Sequence, residues 1–148
     1  MLFTRAERYA LRCVMLIASR PAGRLTTLED LSEQQGISKQ YLANIMCHLA
    51  AYGLVHTYRG LHGGYSLGRP ANRITMADIW DAIRSADAPI NCIMDNAECP
   101  RIDACPVRKL FENAFGELHA YLEQWTVQEL ASELKKLHMP MACGPVHQ

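Results

Sequence analysis

The chain has 148 residues, 15 cationic and 15 anionic side chains, 20% charged content and 49% apolar content. That balance excludes a disordered or fibrous chain and fits one compact domain, or a small domain with an appended element. No apolar run approaches the roughly 20 residues that span a bilayer, and no leader-cleavage pattern follows the N-terminus, so the chain reads as cytoplasmic with no membrane partner. In that reducing compartment, six cysteines point to metal or redox chemistry rather than a disulfide framework. The neutral total hides an asymmetry. Residues 1–80 hold nine Lys/Arg against five Asp/Glu, a balance of +4, and residues 81–148 hold six against ten, a balance of −4. A basic front and an acidic back suggest a nucleic-acid-facing module joined to a solvated assembly or sensing module.

Thr4-Arg-Ala-Glu7 has the capping-box form and leads into Ala10, Cys13, Val14, Ile17 and Ala18, one face of a helix. Thr27-Leu-Glu-Asp30 opens a second, short helix that ends at Gly36. Ser38 caps a third, with Tyr41, Leu42, Ile45, Met46 and Leu49 toward a core and Gly53 as its stop. Two short helices joined at Gly36 make a helix–turn–helix, whose second member carries the recognition residues. LVHTY and YSLG then alternate as strands, and Gly60, Gly63 and Gly64 permit a tight hairpin tip between them. A hairpin directly after a helix–turn–helix is a wing, which favours Arg59 as a DNA contact over a merely solvated arginine.

The candidate DNA contacts are Ser38, Lys39, Gln40, Tyr41 and Asn44 on the recognition helix, and Arg59 and His62 on the wing. Gln40 and Asn44 carry amides that can read adenine edges, and Lys39 can reach guanine or phosphate. Tyr41 can equally belong half to the core. Cys13 and Cys47 read as core thiols, and His48 and His56 as surface or satisfied core histidines.

Cys92, Cys99 and Cys105 fall within fourteen residues as C-x6-C-x5-C. Those gaps are too wide for a zinc knuckle and suit a loop wrapped around a thiolate-held iron–sulfur cluster. Pro100, Pro106, Asp95, Asn96 and Asp103 make the segment a poor core element, which argues against three merely buried thiols. Zinc on the same thiolates is the inorganic competitor. Beyond them, Val107, Leu110, Phe111, Ala114, Phe115, Leu118, Tyr121, Leu122 and Trp125 line one broad helix face, more apolar surface than a lone helix leaves in water. A two-fold copy is the natural cover. Thr126-Val-Gln-Glu129 caps a further helix, and the final HMPMACGPVHQ reads as a loose tail. The expected organisation is a DNA-binding module at 1–80, a cysteine-rich loop region at 81–106, dimerisation and C-terminal helices at 107–135, and a tail at 136–148. A phosphate-binding glycine loop, a nucleophile elbow and a catalytic carboxylate pair are all lacking, so no enzyme is expected.

The stretches FTRAERYALR, GISKQYL, HTYRGLHGGYSLGRPA and C-x6-C-x5-C together resemble the Rrf-two family of bacterial transcription regulators, of the cluster-binding IscR, NsrR and RirA type, over roughly residues 1–135. The resemblance implies a mainly α fold with a small β-hairpin wing: a winged helix-turn-helix domain plus a long dimerisation helix. It implies a homodimer on a double-stranded operator, with a cluster near the dimer interface that tunes DNA affinity. It also implies a fourth ligand, either a histidine three residues after the third cysteine or a carboxylate near the start of helix one. Arg108 and Arg8 stand at those places, and a guanidinium offers no lone pair to a metal. Glu7 is therefore the candidate fourth ligand, or simply the capping carboxylate of Thr4; Cys143 is a further candidate. A 4Fe–4S cluster is favoured, with 2Fe–2S as the alternative. The expected function is a dimeric repressor whose operator binding follows cluster state, in response to nitric oxide, iron or redox status. The alternatives are a zinc- or thiol-based winged-helix repressor, or an electron-transfer or cluster-carrier protein.

Overall fold

The computed structural model describes residues 3–21, 23–84 and 104–136. Among these residues the order is three helices, a hairpin, a 3-10 turn at Ala71–Arg73, and three more helices. Helix α1, Arg5–Ser19, starts where Thr4 accepts the Glu7 backbone N–H at 3.2 Å while the Glu7 carboxylate accepts the Thr4 N–H. Helix α2, Leu28–Gln35, begins at a second reciprocal box between Thr27 and Asp30. It ends at Gly36, whose φ of +64° is the left-handed conformation that glycine adopts without a Cβ clash. Helix α3, Lys39–Ala51, follows a three-residue turn and takes its cap from the Ser38 hydroxyl, which accepts the Tyr41 N–H at 3.3 Å.

Strands β1, Val55–Tyr58, and β2, Gly64–Leu67, pair antiparallel with Val55 opposite Leu67 and Tyr58 opposite Gly64. Thr26, ahead of α2, adds a bridge to this hairpin: its N–H donates to the Tyr65 carbonyl at 3.0 Å, and the Tyr65 N–H returns the bond at 2.8 Å. A Cβ at Gly64 would sit 2.9 Å from the Thr26 carbonyl oxygen, so glycine is what allows this approach. The wing is thereby tied to the helical body near the tip end of its ladder.

Helix α4, Met76–Arg84, was not among the expected elements, although Thr75-Met-Ala-Asp78 spells another capping box. Asp78 accepts the Thr75 N–H at 2.8 Å and Thr75 accepts the Asp78 N–H at 3.1 Å. Helices α5, Pro106–Glu123, and α6, Val127–Lys136, complete the described chain. Their joining turn is sewn to the start of α4, because the Met76 N–H reaches the Trp125 carbonyl and the Val127 N–H reaches that of Ile74, both at 2.9 Å.

Leu31, Leu42, Leu49, Leu54, Ile74 and Val127 are fully buried in one core that draws on α1, α2, α3, β1 and α6. A smaller cluster of Ala77, Trp80 and Leu122, with Phe3, Phe115 and Leu118 against it, docks α5 on α4. The broad α5 face is thus divided. Leu122 is buried, whereas Val107, Leu110, Phe111, Tyr121 and Trp125 stay exposed. The cysteine expectations need a correction. Cys13 is core, and burial pushes its thiol up to about 12. Cys47 is exposed instead. The buried stripe of α3 runs through Leu42, Ile45, Met46 and Leu49, and position 47 falls three residues beyond the exposed Asn44, on its side of the helix. No helix among the described residues is long and apolar enough to cross a membrane.

Candidate functional site

The α3 helix and the wing form the first part of the site. Gln40, Asn44 and Cys47 are exposed at helical spacing and make one outward stripe. Lys39 is exposed but ion-paired to Glu29 of α2 in the free chain. The Ser38 hydroxyl serves as the helix cap. Tyr41, 40% exposed, sets its ring edge-on to Tyr9 of α1 with centroids 6.2 Å apart, so it props the start of α3 as well as facing solvent. His48 and His56 are surface residues. On the wing, Arg59 and His62 are both exposed.

Charge concentrates on the same segment. From residue 34 to residue 77 the chain carries Lys39, Arg59, Arg69 and Arg73 and not one Asp or Glu. The whole +4 excess of the front half therefore lies on α3, the wing and the turn that follows. Arg69 is held by Asp78 at 3.5 Å. A segment that brings no carboxylate of its own suits a polyanion, with Glu29 and Asp78 of the neighbouring helices pairing Lys39 and Arg69 in the free chain.

The second part is the frame of the cysteine segment. Cys92 and Cys99 lie outside the described residues, as does Cys143. Cys105 is a partly buried free thiol at the N-cap of α5, and its side chain makes no capping bond, so its sulfur is not committed there. Among the described residues no three His, Cys, Asp or Glu side chains converge to hold a metal ion. Thiols at positions 92, 99 and 105 are the donor chemistry that a soft metal centre takes.

Glu7 occupies a clamp at the near end of that segment. Only 4% exposed, it accepts the Thr4 N–H on one oxygen and the Trp80 indole N–H on the other at 2.9 Å. That second oxygen also pairs with Arg84 Nε at 3.0 Å. The Arg84 guanidinium lies 4.5 Å from the Trp80 ring centroid and 4.9 Å from that of Phe115. Arg84, the last residue of α4, is thus fixed against α1 and α5 together. Nearby, His119 Nε2 on α5 lies 2.9 Å from an Asp81 oxygen on α4. That hydrogen bond, helped by the Asp81, Glu123 and Asp78 charges, holds the imidazole above its ordinary value against the opposing effect of burial. Trp80 and Arg84 were missed in the sequence. Their partner Glu7 is 73 residues from Trp80, and no local periodicity carries such a pairing.

A cleft of about 420 Å³ opens beside the clamp, lined by Phe3, Leu11, Met76, Trp80, Tyr121 and Trp125 among others. It continues the exposed apolar face of α5.

A family model described as Rrf2, iron-dependent transcriptional regulator, matches residues 3–133. The chain is 30% identical over 130 residues to protein rrf2 of Nitratidesulfovibrio vulgaris, covering 88% of this chain and 87% of that protein. Among solved structures it resembles CymR (YrzC), the global cysteine regulator of B. subtilis, with a TM-score of 0.69 at 25% identity over 90% of this chain and 98% of that one. It also resembles T. potens IscR, with a TM-score of 0.71 at 21% identity over 95% and 93%, a likeness of fold. The expected winged-helix fold, mainly α with a two-stranded wing, is the fold these proteins share. Proteins of this family are transcriptional regulators rather than enzymes; they bind DNA and are typically dimeric. The match spans nearly all the described residues, and the chain belongs to the Rrf2 family of transcriptional regulators.

Proposed function

We propose that this chain is a homodimeric cytoplasmic repressor that binds double-stranded operator DNA through α3 and the wing, with an affinity set by an iron–sulfur cluster on Cys92, Cys99 and Cys105. One observation carries the coupling. The cysteine segment is framed by Arg84, locked to Glu7 of α1, and by Cys105, the N-cap of α5. A change in ligation therefore acts on the DNA-binding body and on the uncovered helix at once. By linkage, DNA affinity changes only as far as the two arrangements differ in their contacts.

Three thiolates would hold the group, which would supply a centre open to nitric oxide, oxygen or iron loss. Glu7 remains the candidate fourth ligand, and taking that role requires it to release Trp80 and Arg84. With arginine rather than histidine at position 108, 4Fe–4S is favoured over 2Fe–2S. On DNA, Gln40 and Asn44 read base edges. Ser38, Lys39 (freed from Glu29), Tyr41, Arg59 and His62 anchor or position the chain on the backbone. The exposed Val107, Leu110 and Phe111 and the adjoining cleft are covered by a second copy, which sets two α3 helices on half-sites about one helical turn apart.

A second reading is a zinc- or thiol-based repressor. The likeness to a cysteine regulator and the exposed Cys47 thiol on the α3 stripe favour it. Electron or cluster transfer gains no support from a winged helix whose recognition segment lacks carboxylates.

The test is anaerobic purification with iron, sulfide and zinc analysis and a visible spectrum, on the wild type and a Cys92→Ala, Cys99→Ala, Cys105→Ala variant. Broad visible absorbance with about four irons per chain, lost in the variant, is the expected result. A colourless protein with zinc or no metal would leave the second reading in its place.

A further inference from the structure

The wing tip holds a residue that phosphate anchoring does not explain. Leu61 is 96% exposed, and no other large exposed apolar side chain among the described residues exceeds 65%. Singly exposed leucines are ordinary on protein surfaces, so exposure alone decides nothing. The backbone beneath this one does.

The Gly63 N–H donates to the Gly60 carbonyl at 3.0 Å, closing a tight turn with Leu61 and His62 at its two corners. Gly60 sits at φ +109°, a region that side-chain-bearing residues rarely enter. A Cβ at Gly63 would fall 2.3 Å from the Tyr58 carbonyl oxygen. Glycines thus close the tip, and the Thr26–Tyr65 bridge pins β2 two residues beyond Gly63. The apex is a stiff projection carrying an uncovered leucine between Arg59 and His62.

We propose that Leu61 is an apolar minor-groove contact of the operator complex, reading the deformability of the base step it presses against. This rests on the DNA-binding reading given above. Arg59 brings the tip to the backbone, and the wing and α3 contribute no carboxylate of their own to repel it. A leucine at the apex then meets sugar and base edges. Apolar side chains used in this way displace groove water and partly unstack a step, at least cost where the step is a flexible pyrimidine–purine one. Such a contact neutralises no phosphate, so it contributes affinity and sequence preference without adding to the salt dependence.

The experiment uses duplexes selected by the full-length wild-type protein from a randomised pool, with binding measured across a salt series. Leu61→Ala is expected to weaken binding about tenfold with an unchanged salt slope, and to lose a preference for TA or CA/TG steps at the wing position. Arg59→Ala is expected to lower the salt slope by about one. Leu61→Met, which keeps an apolar tip, is expected to bind nearly as the wild type does. If Arg59→Ala weakens binding while Leu61→Ala binds as tightly and selects the same steps as the wild type, the leucine contact is wrong and DNA binding stands. If the wild type selects no duplex at all, the DNA-binding reading fails and takes the contact with it.

Discussion

The body built from α1 to α4 and α6 closes on itself, whereas α5 does not. In the body, leucines from α2, α3 and the segment before β1 reach zero exposure, and every helix start inside it is capped by a side chain of its own chain. On α5, Leu110 and Phe111 stay 65% and 48% exposed, and of the eight apolar positions on its broad face only Leu122 is buried. The difference teaches where the single chain is complete. The body buries its apolar groups and caps its helices without help; α5 presents one end to α4 and leaves the other for a second surface.

Substitutions on the two sides of that divide must behave differently. Leu49→Ala in the closed core is expected to cost about 2–5 kcal/mol of stability, read by urea unfolding at any protein concentration. Leu110→Glu should leave the protomer folded and weaken self-association at least tenfold by sedimentation, with operator affinity falling alongside. An unchanged monomer–dimer equilibrium would mean that a second copy does not cover this face.

The clamp joins the two regions. Glu7→Gln removes the charge facing Arg84 and half the acceptor capacity facing the Trp80 indole, and should cost about 1–3 kcal/mol together with a change in tryptophan emission. The smallest effect belongs to His119. Its folded-state value is raised, chiefly by Asp81, so the pairing contributes fully below the ordinary value of 6.5 and fades as pH rises through the raised one. Because both side chains are partly solvated, the loss should be about 0.2–1 kcal/mol as pH rises above the ordinary imidazole value, absent in His119→Gln.

Legibility followed the range of the interactions. The boxes at Thr4, Thr27 and Thr126, the Ser38 cap and the glycines of the wing are local signals, and each stands where its spacing places it. Helix α4 carried an equally good box at Thr75–Asp78 and was still passed over. Cys47 was misread because an apolar-neighbour argument ignores helical phase, which puts it beside Asn44 rather than Met46. The clamp of Glu7, Trp80 and Arg84 had no local signature, since helix α1 meets α4 only through tertiary packing. Glu7 could be read from sequence as a cap or a ligand; its buried partners come from the fold.

The most direct test of the central claim is the affinity of cluster-loaded and cluster-free protein for one selected duplex at one salt concentration. We expect a difference of at least tenfold between the two forms, abolished in the Cys92→Ala, Cys99→Ala, Cys105→Ala variant. Equal affinities would contradict control of DNA binding by the cysteine segment.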